Sequence, residues 1–273
     1  MAGRSDQPAR PRRASVVLTA RNSASVSTTD TSFPRLAHRA PLYDALVTSP
    51  HVQIYTMQSV EEARAVAACG VDHVGVTPAS SGLPGEVGIE LAAEICRAVA
   101  GDTKSVALSV EIDLNPIEEM ARVVRPDILH LCGPAGALDP DGVAELRSRL
   151  RGLPIMQAIA IAGPEAVDVA LSYEPVADYL ILDSVDPAIA GVGAAGTIHD
   201  WKVSAAIVEA VEVPVILAGG LSPENVAAAL AAVRPWAVDS LTHTSRQLPG
   251  GGFRKDLDLV GQFVAAARWN MSP

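Results

Sequence analysis

The 273-residue chain is 49% hydrophobic and 4% aromatic, with 31 acidic against 21 basic side chains and a net charge of −10. That length permits one large core or two modest ones, and the abundance of alanine and valine favours a layered α/β protein whose strands are buried on both faces. The acidic balance without a basic, aromatic-laced stripe argues against nucleic acid, no apolar run approaches the roughly 20 residues that span a bilayer, and the scattered Cys69, Cys96 and Cys132 form neither a disulfide framework nor a CxxC metal site.

Residues 1–32 carry Arg4, Arg10, Arg12, Arg13 and a Ser/Thr-rich run without hydrophobic periodicity, and read as a disordered tail. Residues 33–50 read as a short helical segment, with Leu42, Leu46 and Val47 spaced to cap the bottom of a barrel. From His51 onward, β-branched runs alternate with amphipathic helices. The expected strands cover 52–55, 73–76, 105–110, 128–131, 155–159, 179–182, 215–218 and 237–240. The expected helices cover 60–68, 89–99, 116–124, 140–150, 164–171, 202–211, 223–232 and 257–267. Eight βα units in about 220 residues indicate a (β/α)8 TIM barrel of the α/β class over residues 51–273. A doubly wound sheet fits less well, because Tyr55-Thr56-Met57-Gln58 stands where a dinucleotide-binding G-x-G-x-x-G turn would follow the first strand.

In such a barrel the chemistry collects at the carboxyl ends of the strands. That rule selects Tyr55, Thr77, Glu111, Asp113, His130, Cys132, Gln157, Asp183, Asp186, the Gly219-Gly220 bend, Asp239 and His243. The run from Pro214 to Val226 joins an apolar strand, two glycines and a helix opened by Ser222, Pro223 and Asn225. Glycines permit positive φ or close backbone approach, and the helix behind supplies the positive end of its dipole. The segment therefore fits a phosphate cradle and a plain tight turn equally well. Asp183 ends the apolar sixth strand, just before a glycine-rich loop at residues 190–196. A desolvated carboxyl there suits proton delivery, and it equally suits capping the loop or pairing with Lys202. Arg246, Arg254 and Lys255 read as solvated charges.

Several of these segments resemble the phosphoribosylanthranilate isomerase family of tryptophan biosynthesis. Val215 to Val226 looks nearly identical to that family's strand-seven signature, and Val233-Arg-Pro-Trp-Ala-Val-Asp239 is similar to its V-R-P-Y-G-V-D. Leu182-Asp183, the stretch from Gly193 to Trp201 and Lys255-Asp256 also resemble family motifs, over a span from about Val52 to Arg268. The resemblance implies an Amadori rearrangement without a cofactor. In it Asp183 is the general acid that opens the ribose ring, a base removes the C2 proton, and the Gly219-Gly220 bend holds phosphate.

Four departures accompany the resemblance. The family's K-I-C-G, whose cysteine is the base, reads Gln53-Ile54-Tyr55-Thr56 here, and its Q-L-H-G reads His130-Leu131-Cys132-Gly133. Tyr55, Cys132 and His130 are thus the candidates for the missing base, while Cys132 and His130 fit buried scaffold groups as readily. The arginine that grips the anthranilate carboxylate in S-P-R-Y-V is missing from Ser80 to Val87, where Glu86 has the opposite sign. The phosphate segment D-V-S-S-G-V-E reads Asp239 to Ser245, leaving Ser240, Thr242 and His243 as donors beside Gly219 and Gly220. Gln157 and Glu86 complete the expected substrate contacts.

The leading expectation is an isomerase or lyase of this type acting on a small phosphorylated sugar or related metabolite through an enol or enolamine. The alternatives are the parent isomerase with a replaced base, and a noncatalytic phosphate-ligand-binding or scaffold barrel. A cytoplasmic protein is expected, without metal, nucleic acid or membrane partner, and a homodimer is compatible with it.

Overall fold

Eight short β-rich runs can bury both faces only by closing on themselves inside a jacket of helices, and this is the arrangement found in the computed structural model. It describes residues 49–80, 82–101, 103–184, 192 and 198–269. The expected tail, residues 33–48 of the expected helical segment, Asp186 and the glycine-rich loop apart from Val192 lie outside the described residues.

The strands β1 (His51–Ile54), β2 (His73–Val76), β3 (Lys104–Ser109), β4 (Ile128–Leu131), β5 (Ile155–Ala160), β6 (Tyr179–Asp183), β7 (Val215–Leu217) and β8 (Ala237–Ser240) form a closed parallel barrel in sequence order. The helices are α1 (Val60–Ala68), α2 (Ile89–Ala98), α3 (Leu114–Val124), α4 (Pro140–Leu150), α5 (Ala166–Tyr173), α6 (Trp201–Ala210), α7 (Val226–Val233) and α8 (Leu257–Trp269). The expected TIM barrel is therefore present, with element ends displaced by up to three residues. The largest displacement is at α7, which begins at Val226 rather than Pro223. There the Asn225 side chain closes a turn instead, donating to the Gly220 carbonyl at 2.9 Å and accepting from Ser222 N at 2.8 Å.

Side-chain alternation sorts the strands into two cores. Val52, Ile54, Val74, Leu129, Leu131, Leu180 and Leu182 face the helices, whereas Val106, Ile128, Met156, Ile181, Ile216 and Ala237 fill the barrel interior. His51, His73, Tyr179 and Trp236 stack across the amino-terminal end of the barrel, with 4.3 Å between the His51 and Trp236 ring centroids. A repeated aspartate sets the strand starts. Asp72, Asp127 and Asp178, each immediately before an even-numbered strand, accept from the backbone N–H of Val52, Ser105 and Ile155 on the preceding odd strand, all at 2.8 Å.

One element has no counterpart in the sequence reading: the hairpin of β9 (Ser245–Gln247) and β10 (Phe253–Lys255). It is tied back to the first βα connection by Glu62, whose carboxylate accepts from Lys255 N at 2.8 Å and from Gln58 N at 2.6 Å. Ser59 caps α1 by accepting from Glu62 N, so Glu62 links the start of α1 to the end of the hairpin.

Phe263 of α8 is fully buried in the barrel–helix core. Phe263→Ala is expected to cost about 3–5 kcal/mol through lost burial and the cavity left behind, read as a lowered midpoint in urea unfolding.

Candidate active site

Tyr55, Asp183 and Asp239 share the interior parity of their strands and meet at the carboxyl end of the barrel, with His130 and Cys132 from β4 and its continuation. Space for the Tyr55 ring comes from Gly75 on β2, where an added Cβ would sit 2.2 Å from the ring. The phenol is hydrogen-bonded to His130 Nδ1 at 3.0 Å. Burial pushes the phenol well above its ordinary pKa, with Asp239 and Cys132 adding to the effect. Burial likewise lowers His130 to about 3. Burial, reinforced by Asp183, raises the Cys132 thiol to about 12, and its Sγ donates to the Val192 carbonyl at 2.7 Å. A thiol, a phenol and an imidazole so placed are all poorly matched to accepting a proton near neutrality.

Asp183 lies half-buried at the end of β6, its Oδ1 accepting from Ser184 N at 2.6 Å. On the neighbouring strand, Ala218 N donates to the Leu182 carbonyl at 2.8 Å, and the pairing of Leu182 with Leu217, continued, sets Ala218 opposite Asp183 and Gly219 opposite Ser184. Gly219 and Gly220 both have positive φ, 82° and 63°. A Cβ at Gly219 would fall 2.7 Å from both His199 Nδ1 and Ser184 Oγ, so glycine is required there for space as well as for conformation. His199 is held from its other side by Ser204 Oγ at 2.8 Å, and burial lowers it to about 4. This imidazole was not singled out in the sequence, although it lies in the stretch from Gly193 to Trp201 that resembles a family motif.

The remaining sequence candidates divide. Thr242 and His243 are exposed on the 3-10 turn Thr242–Thr244 after β8. Ser240 faces away from the lumen, and its hydroxyl donates to the Leu221 carbonyl at 2.8 Å, so it braces the bend instead of offering a side-chain donor to a ligand. Gln157 sits between interior Met156 and Ala158 and therefore turns towards the helices. It lines a separate cavity of about 350 Å³ with Leu138, Glu165 and Tyr173, outside the constellation around Asp183. Glu86 is half-buried in the connection after β2 and accepts from Gly82 N at 3.0 Å, which shapes that loop.

Two groups gain importance. Asp239, noted in the sequence for its strand-end position and as part of two family-like segments but given no role, is 7% exposed, and burial, reinforced by Asp183, raises it to about 7. Lys255 is corrected from a solvated charge to a buried one, because the hairpin carries it inward. Its Nζ donates to the Leu241 carbonyl at 2.9 Å and to Ser245 Oγ at 2.8 Å, and burial lowers it to about 7. Among the described residues no group of three His, Cys, Asp or Glu side chains could hold a metal, and no helix is long and apolar enough to cross a membrane.

Residues 52–244 match the family model of N-(5'phosphoribosyl)anthranilate (PRA) isomerase. The isomerase of that name from Methanocella arvoryzae is 32% identical over 217 residues, spanning 80% of this chain and 97% of the relative. The one from Haloferax volcanii is 34% identical over 207 residues, spanning 75% and 86%. Among solved structures, phosphoribosyl anthranilate isomerase from Thermotoga maritima superposes with a TM-score of 0.65 at 25% identity, covering 81% of this chain and 99% of its own. A thiamine phosphate pyrophosphorylase from Pyrococcus furiosus, 17% identical with a TM-score of 0.59, shares the fold alone.

The buried histidines give stability a pH dependence. His73 and His199 are lowered to about 4 and His130 to about 3, from 6.5, each chiefly by burial. A depressed folded value means that the unfolded chain binds more protons, so this stability is complete above about pH 6.5 and is lost as pH falls towards 4. Asp239, raised from 3.8 to about 7, acts in the opposite sense, its contribution being lost as pH rises through 7. Three groups against one predict a net fall in the urea midpoint between pH 7 and 4, with a shallower fall in His199→Asn.

Proposed function

The chain belongs to the N-(5'-phosphoribosyl)anthranilate isomerase family, and from that membership we propose that it catalyses an Amadori isomerisation of a phosphorylated N-ribosyl amine, with N-(5'-phosphoribosyl)anthranilate as substrate in tryptophan biosynthesis. The observation that carries this reading is that the Gly219-Gly220 bend follows β7, the strand paired with β6, and that Gly219 packs on Ser184, the residue next to Asp183. The bend's positive-φ backbone and the following helix suit a phosphate. The carboxyl beside it then meets the ribose of the same molecule. Proton delivery to the ring oxygen breaks the C1–O bond, the amine nitrogen forms the iminium, and loss of the C2 proton gives the enolamine that becomes the 1-deoxyketose. A related isomerase has been solved with reduced 1-(o-carboxyphenylamino)-1-deoxyribulose 5-phosphate, a ligand of the same class as this product. A cytoplasmic location and a homodimer belong to the same proposal, dimeric assembly being named for the Thermotoga maritima relative.

A second reading has its own observation. The loop after β2 carries Glu86 and no arginine from Ser80 to Val87, so a bidentate partner for an aromatic carboxylate is missing there. This favours a substrate of the same N-ribosyl amine class whose amine portion lacks that carboxylate.

The purified full chain should convert N-(5'-phosphoribosyl)anthranilate, followed by the loss of substrate fluorescence, and should rescue a tryptophan auxotroph lacking this isomerase. Asp183→Asn should lower kcat by about 100-fold or more. Well-expressed protein that fails both assays removes the parent substrate and leaves the second reading, to be checked against carboxylate-free analogues. An Asp183→Asn enzyme with undiminished turnover rejects the acid.

A further inference from the structure

If the chain is an isomerase as proposed above, it needs a proton acceptor, and none of the side chains at the first and fourth strand ends suits the role. The barrel closes by pairing β8 with β1, and in that register Asp239 lies directly opposite Gln53, two residues before Tyr55. Asp239 alternates with interior Ala237 and Leu241, so its carboxyl enters the lumen next to the end of β1. It is 7% exposed, and among the described residues its Oδ1 has no hydrogen-bond partner. The β1 neighbour Gln53 is a neutral amide whose Oε1 meets His73 Nδ1 at 3.1 Å and whose side chain also hydrogen-bonds the Asp239 carboxyl, an effect that favours ionisation but is outweighed by burial. The titratable and charged groups acting on this site are Asp183 on β6, Lys255 on β10, Tyr55 after β1 and Cys132 after β4.

We propose that Asp239 is the general base of the isomerisation, taking the C2 proton and working as a pair with Asp183. Two carboxyls that raise one another's cost of ionisation hold one proton between them, and the reaction needs one protonated and one ionised member. Asp183 gives its proton to the ring oxygen as the C1–O bond breaks and the nitrogen lone pair forms the C1=N bond. Asp239 then takes the C2 proton. The C2–H electron pair becomes the C1=C2 bond, and the C1=N π pair returns to nitrogen. Asp239 delivers its proton to C1 while the C2 hydroxyl proton passes to Asp183, which yields the ketose and restores both carboxyls. No electrons leave the substrate, so no oxidant or reductant is needed. Burial and Asp183 raise the Asp239 carboxyl to about 7, within the range where a base is both ionised and basic at neutral pH.

The test uses the full chain and the substrate it turns over. The wild-type kcat/KM should rise with pH through about 7, because the base must be ionised. Asp239→Asn should lower kcat about 100-fold or more with KM little changed. Asp239→Ala should regain part of its turnover with added formate, a response that a purely structural carboxylate would not give. Retention of more than about a tenth of kcat in Asp239→Asn, or a wild-type ascending limb above about pH 8, overturns the assignment. Should Asp239→Asn fail to fold, the wild-type limb decides. A wild-type chain inactive on every phosphorylated N-ribosyl amine sinks the isomerase reading and this one together, whereas an active wild type with an unimpaired Asp239→Asn sinks only the base.

Discussion

The pairing of β8 with β1 is the constraint from which the rest of the site follows. Four residue pairs, His51 with Ala237 through Ile54 with Ser240, set this closing register, and a slip of one residue would turn Asp239 outward and Ser240 into the lumen. With the register as it stands, β8 contributes a carboxyl to the interior and a hydroxyl to the exterior. The hydroxyl holds the double-glycine bend through the Leu221 carbonyl, so closure of the barrel positions both the buried carboxyl and the bend.

Charge in the lumen is managed by burial more than by pairing. Asp239 and Lys255 are both almost inaccessible, and burial moves each towards neutrality, one upward and the other downward. Glu62 anchors the backbone of β10 at Lys255 beside the start of α1. The surrounding groups, His73, His130 and Cys132, are kept neutral by the same desolvation. An interior of neutral polar groups leaves the two carboxyls as the main charges a ligand would meet, and in a low-dielectric setting their influence on one another is large.

Three of the four departures from the family pattern lie on the β1–β4 side of the barrel, and the fourth is the segment from Asp239 to Ser245 at the end of β8. Tyr55, His130 and Cys132 form a hydrogen-bonded and packed group there, and the bulk of Tyr55 is accommodated by Gly75. On the β6–β8 side, Asp183, Gly219, Gly220 and Asp239 are retained.

The sequence by itself determined the eight-unit architecture, because alternating apolar strands and capped helices have one economical way to bury both sheet faces, and it located Asp183 at the end of the sixth strand and the double-glycine bend after the seventh, positions that depend on local chain order. Strand parity was legible too, although a strand end does not reveal which face is interior: Gln157 and Ser240 lie at strand ends like Asp183 and Asp239, yet they turn outward. Only the tertiary structure decided that Lys255 is buried, that His199 packs on Gly219, and that Asp239 stands beside β1. These relations join residues far apart in the chain through barrel closure and a hairpin fold-back, and desolvation, which sets their protonation, exists only once the interior has formed.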